Sequence, residues 1–448
     1  MRSTAFGSFL AAGCQSQEFL GLRCDAKAAI CILASSRHKI ECMTPEELFT
    51  AALGLGRQWR VAQCRFEGEP KRLELRLEHV PGERFACPKC QALCAVHDTI
   101  ERRWRHMNFF FQYRCELVAK VPRTWCRTDG VHQVQVPWAR EGSGFTLTME
   151  ALIMLLSAEM PVDAMADLLD EHDTRLWRVL MHYVEQAHAK SDWSTVKRIA
   201  VDETSSRRGH RYVTNILDAE KSRLLLMVEG RSAEALRAFA KALAEHGGDP
   251  SQIEAIAMDM SPAYIKGATE CFPLARIVFD KFHVMVLAGQ ALDETRRELQ
   301  RQGVDLKGAM WSLRGNSWNL SQERQEQRKN LCRKYTKLGR AMSLRETLQA
   351  IYTNSDGQSA EAELAWWLSW AMRSRLSAFR DLAKTVREHW DGILAYFDTQ
   401  MTSAAIEAVN GVVQLAKRMA RGFRNFVYFR TAAYQRAGKL KLAVPTII

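Results

Sequence analysis

Three short apolar runs in the second half of the chain each end at an aspartate. They read Ile-Ala-Val-Asp202, Ile-Ala-Met-Asp259 and Ile-Val-Phe-Asp280. Short apolar runs of this kind predict buried strands of an α/β sheet. A carboxylate at the end of a buried strand is costly unless a cation or hydrogen-bond donors meet it, and several together repel one another. Because divalent ions relieve that repulsion, the pattern predicts a metal-dependent site on the sheet.

The residues around these runs predict the order of elements in the second half. We expect strands over the following ranges: Ile199–Asp202, Arg211–Leu217, Arg223–Val228, Ile253–Met258 and Arg276–Phe279. Helices are expected after the capping residues Ser232 and Ser261. Three strands in hairpin order, followed by alternating helix and strand, are the order found in ribonuclease-H-like folds. A tryptophan-rich helical stretch from about 285 to 400 then predicts an all-α insertion.

The chain returns from this insertion on a helix that carries an isolated acid, Glu407. Apolar residues at helical spacing form one stripe of this helix: Ile406, Val409, Val413, Ala416 and Ala420. If the stripe packs on the sheet, Glu407 and Asn410 lie on the polar face, with Glu407 close to Asp202 and Asp259. Three such acids hold two divalent ions about 3.5–4 Å apart in phosphoryl transfer, and Mg²⁺ (or Mn²⁺) suits them. The alternative is that each acid is solvated or caps a helix, as Asp259 could before Ser261.

The first half of the chain contains a pattern typical of a zinc ribbon. Alternating strands over 58–79 precede Cys87-Pro-Lys-Cys90, and a basic aromatic stretch over 102–114 leads to Cys126. Two cysteines on one turn, a β-hairpin and a second pair of ligands form such a site. The sequence therefore predicts zinc binding at the cysteines.

The fourth zinc ligand is left open by the sequence. Asp129 stands three positions beyond Cys126, where another cysteine or a histidine is expected. His132 is the nearest substitute and completes the expected ligand set, although Cys94 or His97 could also reach.

Residues 145 to about 190 are expected to be helical. Helices are predicted to begin near these residues: Phe145, Pro161 and Thr174. Two short helices followed by a longer basic one fit a helix-turn-helix, whose last helix enters the major groove of DNA. Arg175, Arg178 and His182 would lie on one face of that helix. The alternative is a small helical spacer.

Composition and charge narrow the class of protein. With 448 residues, of which 47% are hydrophobic and 25% charged, the chain is expected to form several soluble domains. Its formal net charge of +12 suits a polyanion such as DNA, although charge alone fits any basic protein. No stretch approaches the ~20 apolar residues that cross a bilayer. Most of the twelve cysteines lie before residue 127 without a disulfide-like pattern, which favours a reducing cytoplasm.

The sequence divides into four segments. Residues 1–42 precede Met43-Thr-Pro-Glu-Glu, which opens like a protein, so they are expected to be an over-extended reading frame or a disordered tail. Residues 43–140 form the expected zinc-ribbon-like head, and 141–195 form the helix-turn-helix. Residues 196–448 form the expected α/β catalytic domain, a ribonuclease-H-like core with its large helical insertion.

Several motifs, in order along the chain, resemble those of one family. They are Val201-Asp-Glu-Thr204, Met258-Asp-Met-Ser261, Phe279-Asp-Lys-Phe-His-Val284, Ile406-Glu-Ala-Val-Asn410 and Arg421-Gly-Phe-Arg-Asn425. Over roughly residues 43–448 the chain resembles the bacterial insertion-sequence transposases of the ISL-three family. The resemblance implies a DDE catalytic triad, which maps onto Asp202, Asp259 and Glu407.

The resemblance also implies supporting residues and partners. Asp280 and His283 match a pattern of some transposases and would support the metal site, although His283 could equally be a core histidine; Asn410 is a further supporting candidate. The candidates for DNA contact are Arg175, Arg178, Lys417, Arg418, Arg421 and Arg424. Assembly as a dimer or larger on paired DNA ends is expected from the family. Two positions depart from the family's pattern: Asp129 in the ribbon, and Thr402-Ser-Ala in place of the usual Thr-Asn-Gly.

Together these features predict a DDE transposase that binds terminal inverted repeats and cuts and joins DNA strands. A catalytically inactive copy, domesticated or decayed and acting as a DNA-binding repressor, is the alternative. A non-transposing nuclease of the same fold is a third interpretation. The expected cofactors are Mg²⁺ or Mn²⁺ at the acids and Zn²⁺ at the cysteines. We expect a homo-oligomer on DNA, in the bacterial cytoplasm at the nucleoid and without a membrane segment.

Overall fold

The computed structural model describes residues 43–207, 211–354, 357–399, 401 and 404–445. The prediction for residues 1–42, an over-extended reading frame or a disordered tail, lies outside the described residues, and so does Thr402. The chain divides into two compact units, with the boundary between Met149 and Glu150. Each unit is described by itself below.

The first unit begins with a short helix and is otherwise made of strands. Helix α1 (Pro45–Ala52) starts at a capping box, in which Thr44 and Glu47 each accept a hydrogen bond from the other's backbone N–H. The strands are β1 (Trp59–Glu67), β2 (Arg72–His79), β3 (Phe85–Ala86), β4 (Leu93–Cys94), β5 (Val96–Arg105), β6 (Arg114–Cys126) and β7 (Gly130–Gln133). The main sheet has the order β1-β2-β6-β5, with β7 paired to β6. Strands β3 and β4 form a separate small hairpin.

Alternation of apolar and polar residues explains which face of the main sheet is buried. Leu73, Leu75 and Leu77 of β2 are each 1% exposed, and the residues between them lie nearer the surface. The rings of Trp59 and Trp138 pack edge to face on this side, with centroids 4.8 Å apart. The first unit therefore has a hydrophobic core of its own, and the strands predicted over 58–79 are confirmed.

The second unit opens with helices, as the sequence predicts. They are α2 (Leu147–Glu159), which begins just before the boundary, α3 (Val162–Leu169) and α4 (Asp173–Ala189). Asp170 adopts a φ of 50° at the end of α3, which lets the chain turn sharply into α4. The inner face of α4 is buried and includes Leu176, Val179 and Leu180. The sequence-predicted helices of this region are confirmed.

A five-stranded sheet follows these helices. Its strands are β8 (Arg198–Arg207), β9 (Arg211–Asp218), β10 (Arg223–Glu229), β11 (Ala255–Met258) and β12 (Arg276–Phe279). Their order is β10-β9-β8-β11-β12, in which β8, β9 and β10 are antiparallel and β11 is parallel to both β8 and β12. Helix α5 (Ala233–Glu245) precedes β11, and α6 (Pro262–Cys271) connects β11 to β12. The predicted α/β arrangement and its strands are confirmed.

The predicted helical insertion is also confirmed. Its helices are α7 (Lys281–Arg301), α8 (Ala309–Arg314), α9 (Gln322–Lys334), α10 (Thr336–Asn354), α11 (Gly357–Arg373), α12 (Ser377–Glu388) and α13 (Trp390–Thr399). Helix α7 begins directly after β12, a few residues before the predicted start, because Asp280 caps it. Helix α13 packs so closely on β12 that a Cβ at Gly392 would lie 2.5 Å from the ring of Phe279.

Two helices complete the described chain, α14 (Ala404–Met419) and α15 (Phe426–Ala437). Helix α14 contacts β8, and α15 contacts both α4 and β10. The chain therefore returns from the helical insertion to the sheet, as predicted. Among the helices described, none combines the length and the apolar character needed to cross a bilayer.

Candidate active site and metal centre

Asp202 lies within strand β8 rather than at its end. β8 pairs with β11 only as far as Ala200, opposite Ala257, but it continues as a hairpin with β9 to Arg207. The prediction that Asp202 ends the strand is therefore wrong, because hydrogen bonding to an antiparallel neighbour extends the strand past its apolar run. Asp202 nevertheless lies just beyond the last residue of β8 that pairs with the parallel strand.

Asp259 and Asp280 follow the neighbouring parallel strands, as predicted. Asp259 Oδ1 accepts a hydrogen bond of 3.0 Å from Ser261 N before α6. Asp280 Oδ1 accepts one of 3.1 Å from Phe282 N at the start of α7. Each aspartate thus uses one carboxylate oxygen for a turn at the carboxyl end of a strand. The N-cap of α6 is Ser261, so the helix-capping alternative for Asp259 is wrong: its carboxylate stabilises the turn that precedes the helix.

Helix α14 packs through the stripe that its spacing predicts. The stripe residues Ile406, Val409, Val413 and Ala416 are buried, at 7% exposure or less. Glu407 is exposed in the first turn of the helix. The predicted apolar stripe is confirmed for these four residues, whereas its fifth predicted member, Ala420, is half-buried and follows the end of α14.

The acids from these separate elements meet around one cavity of about 300 Å³. Its polar lining residues are Asp202, Asp280, His283, Glu407, Asn410 and Gln414. Asp259 is not among them, but its charge acts on Asp202. The ligand oxygens of Asp202, Asp259 and Glu407 do not all lie within 4.8 Å of one another. Among the described residues, only a group of three cysteines and one aspartate in the first unit is that compact. Repulsion between uncompensated carboxylates favours such an open arrangement.

The electrostatics of this cavity favour a cation. Burial raises the pKa of the Asp202 carboxyl above its usual value, and repulsion from Asp259 adds to the effect. Burial likewise raises the pKa of Asp280, with a further contribution from the charge of Glu407. The acids are therefore within electrostatic reach of one another, and a divalent cation among them would stabilise their ionised forms.

Hydrogen bonds from two amide side chains link Asp202 to helix α14. Asn410 Nδ2 donates to Asp202 Oδ2, and Asn410 Oδ1 accepts a hydrogen bond of 3.1 Å from Asn215 Nδ2. Asn215 Nδ2 also donates to Thr204 Oγ1 at 3.1 Å. Asn215 is fully buried on β9 and pairs across the strands with Asp202. This network sets the side-chain orientation of Asp202 and the position of α14 together.

The sequence patterns described above do not single out Asn215, although a signal for a buried polar residue exists. The run Val213–Leu217 reads as a buried strand, yet Thr214 and Asn215 interrupt it with polar side chains that are 0% exposed. A buried polar side chain within an apolar strand needs a partner, and such partners gather at polar sites. Which partner Asn215 meets depends on α14, whose residue Asn410 follows almost two hundred positions later.

The basic residues near α14 have different surroundings. Arg418 and Arg421 are exposed, as contact with DNA would require. Lys417 is half-buried, and its ammonium group donates to the carbonyl oxygen of Ser205 on β8. Arg424 forms an ion pair of 3.0 Å with Asp173, the first residue of α4. Lys417 and Arg424 thus have partners inside the protein, and DNA contact by any of these residues stays a prediction.

The predicted DNA-contacting residues of α4 also differ in exposure. Arg178 is exposed, whereas Arg175 is half-buried and forms an ion pair with Glu171 one turn earlier. Trp177 lies between them in the sequence and stacks on Tyr428 in the first turn of α15, with ring centroids 4.4 Å apart. Helix α4 is therefore held firmly within its unit, with Arg178 facing outward.

A second candidate metal centre lies in the first unit. The ligand atoms of Cys87, Cys90, Cys126 and Asp129 all lie within 4.8 Å of one another. Asp129 Oδ2 is 3.6 Å from the sulfurs of both Cys87 and Cys126, and the sulfurs of Cys90 and Cys126 are 3.4 Å apart. Backbone N–H groups of Asp129 and Thr128 hold the pKa of the Cys126 thiol below its usual value. Three thiols and a carboxylate are a donor set that Zn²⁺ accepts.

The side chain that lies beside the three thiols is Asp129 and not His132. Cys126 pairs with Gly130 across the tight turn between β6 and β7, and Gly130 adopts a φ of 81° there. This turn directs Asp129 back toward the thiols. The His132 side chain lies outside the cluster, with Nε2 2.7 Å from the carbonyl oxygen of Asp129. Cys94 is not among the four residues whose ligand atoms all lie within 4.8 Å of one another, although its thiol interacts with that of Cys126.

Family models of known proteins match two consecutive regions of the chain. A family model described as a transposase matches residues 199–433, and a model described as the helix-turn-helix domain of transposase family ISL3 matches residues 134–184. The first match covers more than half of the chain. Sequence relatives extend the similarity over most of its length.

Two of these relatives are curated transposases. The transposase for insertion sequence element IS1557 of Mycobacterium tuberculosis is 27% identical over 418 residues, which cover 84% of this chain and 92% of the relative. The transposase for insertion sequence element IS1001 of Bordetella parapertussis is 28% identical over 355 residues, covering 77% and 86%. With the matched catalytic and helix-turn-helix models, these similarities show that the chain belongs to the ISL3 family of insertion-sequence transposases.

Proposed function

We propose that this transposase binds the terminal inverted repeats of its element, and cuts and joins DNA strands by metal-dependent phosphoryl transfer. The observation that carries the proposal is the shared cavity of Asp202, Asp280 and Glu407, three acids that come from separate elements. The strand order β10-β9-β8-β11-β12 supports a ribonuclease-H-like core. Binding at the carboxyl ends of parallel strands is the usual placement for ligands in such sheets.

Asp202, Asp259 and Glu407 are the proposed catalytic triad. Their oxygens would hold two Mg²⁺ or Mn²⁺ ions, which, when bound, activate the attacking oxygen and stabilise the leaving one. Asn410 orients Asp202 through its hydrogen bond, and Asp280 with His283 shapes the other side of the cavity. No side-chain nucleophile is required, so no covalent protein–DNA intermediate is expected.

The remaining parts of the protein would hold DNA. Arg178 on the exposed side of α4 would read base edges in the major groove, whereas Arg418 and Arg421 would neutralise phosphates. The first unit would carry Zn²⁺ at Cys87, Cys90, Cys126 and Asp129, which would brace the turns that carry these ligands. Pairing of two DNA ends calls for a homo-oligomer, and chromosomal DNA would keep the protein at the bacterial nucleoid.

The proposal is tested with purified full-length protein and a plasmid that carries the DNA flanking the gene on both sides. Protein stripped with EDTA is expected to bind the ends without cutting, because the carboxylates lack their ions. Adding Mg²⁺ or Mn²⁺ should produce nicks with free 3′ hydroxyl groups and then strand-joined products, both measured on sequencing gels. Cutting in EDTA, or protein covalently attached to DNA, would contradict the proposed mechanism.

The same assay separates the rival functions. A protein that binds the ends and never cuts in either metal would be a DNA-binding repressor derived from a transposase. A protein that cuts but yields no joined strands would be a nuclease of the same fold. Because the comparisons establish the family, these outcomes concern whether this copy carries out the full reaction.

Replacing Asn410 with alanine is expected to lower the cleavage rate about 10–100-fold, with end binding unchanged. Removing a residue that orients a metal-binding carboxylate typically lowers activity by this factor. Asn215→Ala should also lower the cleavage rate, because Asn215 donates a hydrogen bond to Asn410. Cleavage rates are measured at a series of Mg²⁺ concentrations, since a misoriented Asp202 should also raise the concentration needed for half-maximal rate.

The control for this prediction removes an amide from the surface. Gln252→Ala, at an exposed position before β11, should leave both the rate and its Mg²⁺ dependence unchanged. If Asn410→Ala retains wild-type cleavage at low Mg²⁺, the hydrogen bond to Asp202 does not contribute to cleavage. A loss of thermal stability without a change in Mg²⁺ dependence would instead identify a purely structural bond.

A further inference from the structure

Two phenylalanines project from the tip of the hairpin between β5 and β6 in the first unit. Phe110 is 74% exposed and Phe111 is 96% exposed. Most large aromatic side chains of folded proteins are buried, because each removes much apolar area from water. Two adjacent phenylalanines at a hairpin tip therefore call for an explanation beyond folding.

The backbone at this tip is also unusual. Phe110 and Phe111 adopt φ values of 49° and 59°, in the left-handed region that favours glycine and asparagine. Bulky side chains are unfavourable there, and such outliers cluster at binding and switch regions. Because these rings contribute little to the core, stability does not account for phenylalanine at either position.

The base of the tip is rigid. Phe109 and Tyr113 exchange backbone hydrogen bonds of 2.9 and 3.0 Å and close the turn. Beneath it, the Phe109 ring packs on Phe49 at 5.5 Å and on Phe66 at 5.9 Å, measured between centroids. The Phe110 ring rests on Phe109 at 4.3 Å. The Phe110 ring thus rests on an aromatic platform, and Phe111 projects beside it into solvent.

Two exposed basic residues, Lys71 and Arg72, lie beside the platform, and Glu67 lies opposite Arg72 in the pairing of β1 with β2. Lys71 is exposed beside the tip, and its ammonium group donates to Gln112 Oε1 at 3.1 Å. Arg72 is exposed next to Lys71 and lies opposite Arg114 in the pairing of β2 with β6. Positive groups beside exposed aromatic rings match a nucleic acid, in which phosphates lie next to stacked bases.

We infer that Phe110 and Phe111 form an aromatic wedge that enters the DNA duplex and stacks on its bases. Apolar side chains inserted at a base step unstack it partially and kink the duplex, and aromatic rings stack on any base. Lys71 and Arg72 would hold the neighbouring phosphates. A protein partner fits less well, because two rings at a narrow tip offer far less than the ~800 Å² that each side of a stable interface buries.

The wedge is tested by the fluorescence of 2-aminopurine in duplexes that carry the DNA flanking the gene, with one substituted base in each duplex. Wild-type protein is expected to raise the fluorescence several-fold at one step or two neighbouring steps, because unstacking relieves quenching. The double variant Phe110→Ala, Phe111→Ala should lose this signal and bind about tenfold or more weakly. Leu274→Ala, which removes a side chain that is 74% exposed elsewhere, should behave as the wild type.

A second pair of variants separates the wedge from a folding effect. Phe110→Asn and Phe111→Asn should raise the melting temperature, since asparagine tolerates the left-handed backbone, yet weaken DNA binding. Phe111→Trp should retain both binding and fluorescence because it keeps an aromatic face. Unchanged DNA affinity and fluorescence in the double alanine variant would overturn the inference. Loss of oligomers with intact DNA binding would also overturn it, by identifying a protein contact.

Discussion

Replacing Asp202 with asparagine is expected to reduce DNA cleavage and strand joining more than about a hundredfold. Residues that merely orient a metal ligand contribute about 10–100-fold, so loss of a ligand's charge should cost more. Binding to the element's ends should be unchanged or slightly tighter, because one negative charge near the phosphates is removed. The two effects are measured together, by plasmid cleavage in Mg²⁺ and by a mobility-shift assay in EDTA.

The control for this substitution is an exposed acid on the same sheet. Glu254, before β11, forms surface ion pairs with Lys197 and Arg198, and Glu254→Gln should retain wild-type cleavage. Glu407→Gln should lose cleavage as fully as Asp202→Asn, since both would ligate the ions. Wild-type cleavage by Asp202→Asn would remove the basis of the proposed triad.

Replacing Cys126 with serine is expected to remove zinc from the protein and to loosen the first unit around β6 and β7. Structural zinc sites supply folding energy directly, and a serine hydroxyl is a poor ligand for zinc. Zinc content after dialysis should fall from about one ion to none per chain. Limited proteolysis should then cut the segment that includes Cys87 and Asp129 sooner than in the wild type, while the Leu-rich core of β2 stays protected.

Asp129 provides the sharpest test of the proposed zinc site. Asp129→Cys should tighten zinc binding, because a thiolate is a softer ligand than a carboxylate, and Asp129→Ala should weaken it. His132→Ala should leave zinc unchanged, since His132 lies outside the cluster. Cys64→Ser is a matched control for the removal of a thiol from strand β1, outside the cluster. Full zinc content in Cys126→Ser, or loss of zinc in His132→Ala, would refute the assignment.

Much of the fold could be predicted from local patterns. The apolar runs before Asp259 and Asp280 are strands, and the stripe of α14 is buried as its spacing indicates. Helices likewise begin near Pro161 and Thr174, where the sequence predicts them. These features succeed because they depend on neighbours within a few residues, where periodicity and capping chemistry act.

The details of the sites could not be predicted in the same way. β8 continues past Asp202 because β9 folds back along it, and an apolar run cannot indicate where a hairpin partner ends. Asp129, and not His132, lies beside the thiols because a tight turn at Gly130 redirects its side chain, and the type of a turn is a matter of backbone geometry. Lys417 donates to the Ser205 carbonyl group because α14 lies against β8. Each outcome depends on a contact between residues distant along the chain.

The order of strands and helices and the kinds of side chain available for chemistry follow from the amino-acid sequence, because short-range periodicity and residue chemistry specify them. The meeting of Asp202, Asp280 and Glu407 at one cavity, with Asn215 and Asn410 behind it, was decided by tertiary packing. Packing brings together residues that no local rule connects, and it sets how closely their charges approach. For this transposase the sequence therefore specifies the elements and the candidate acids, and the fold specifies which of them face one another.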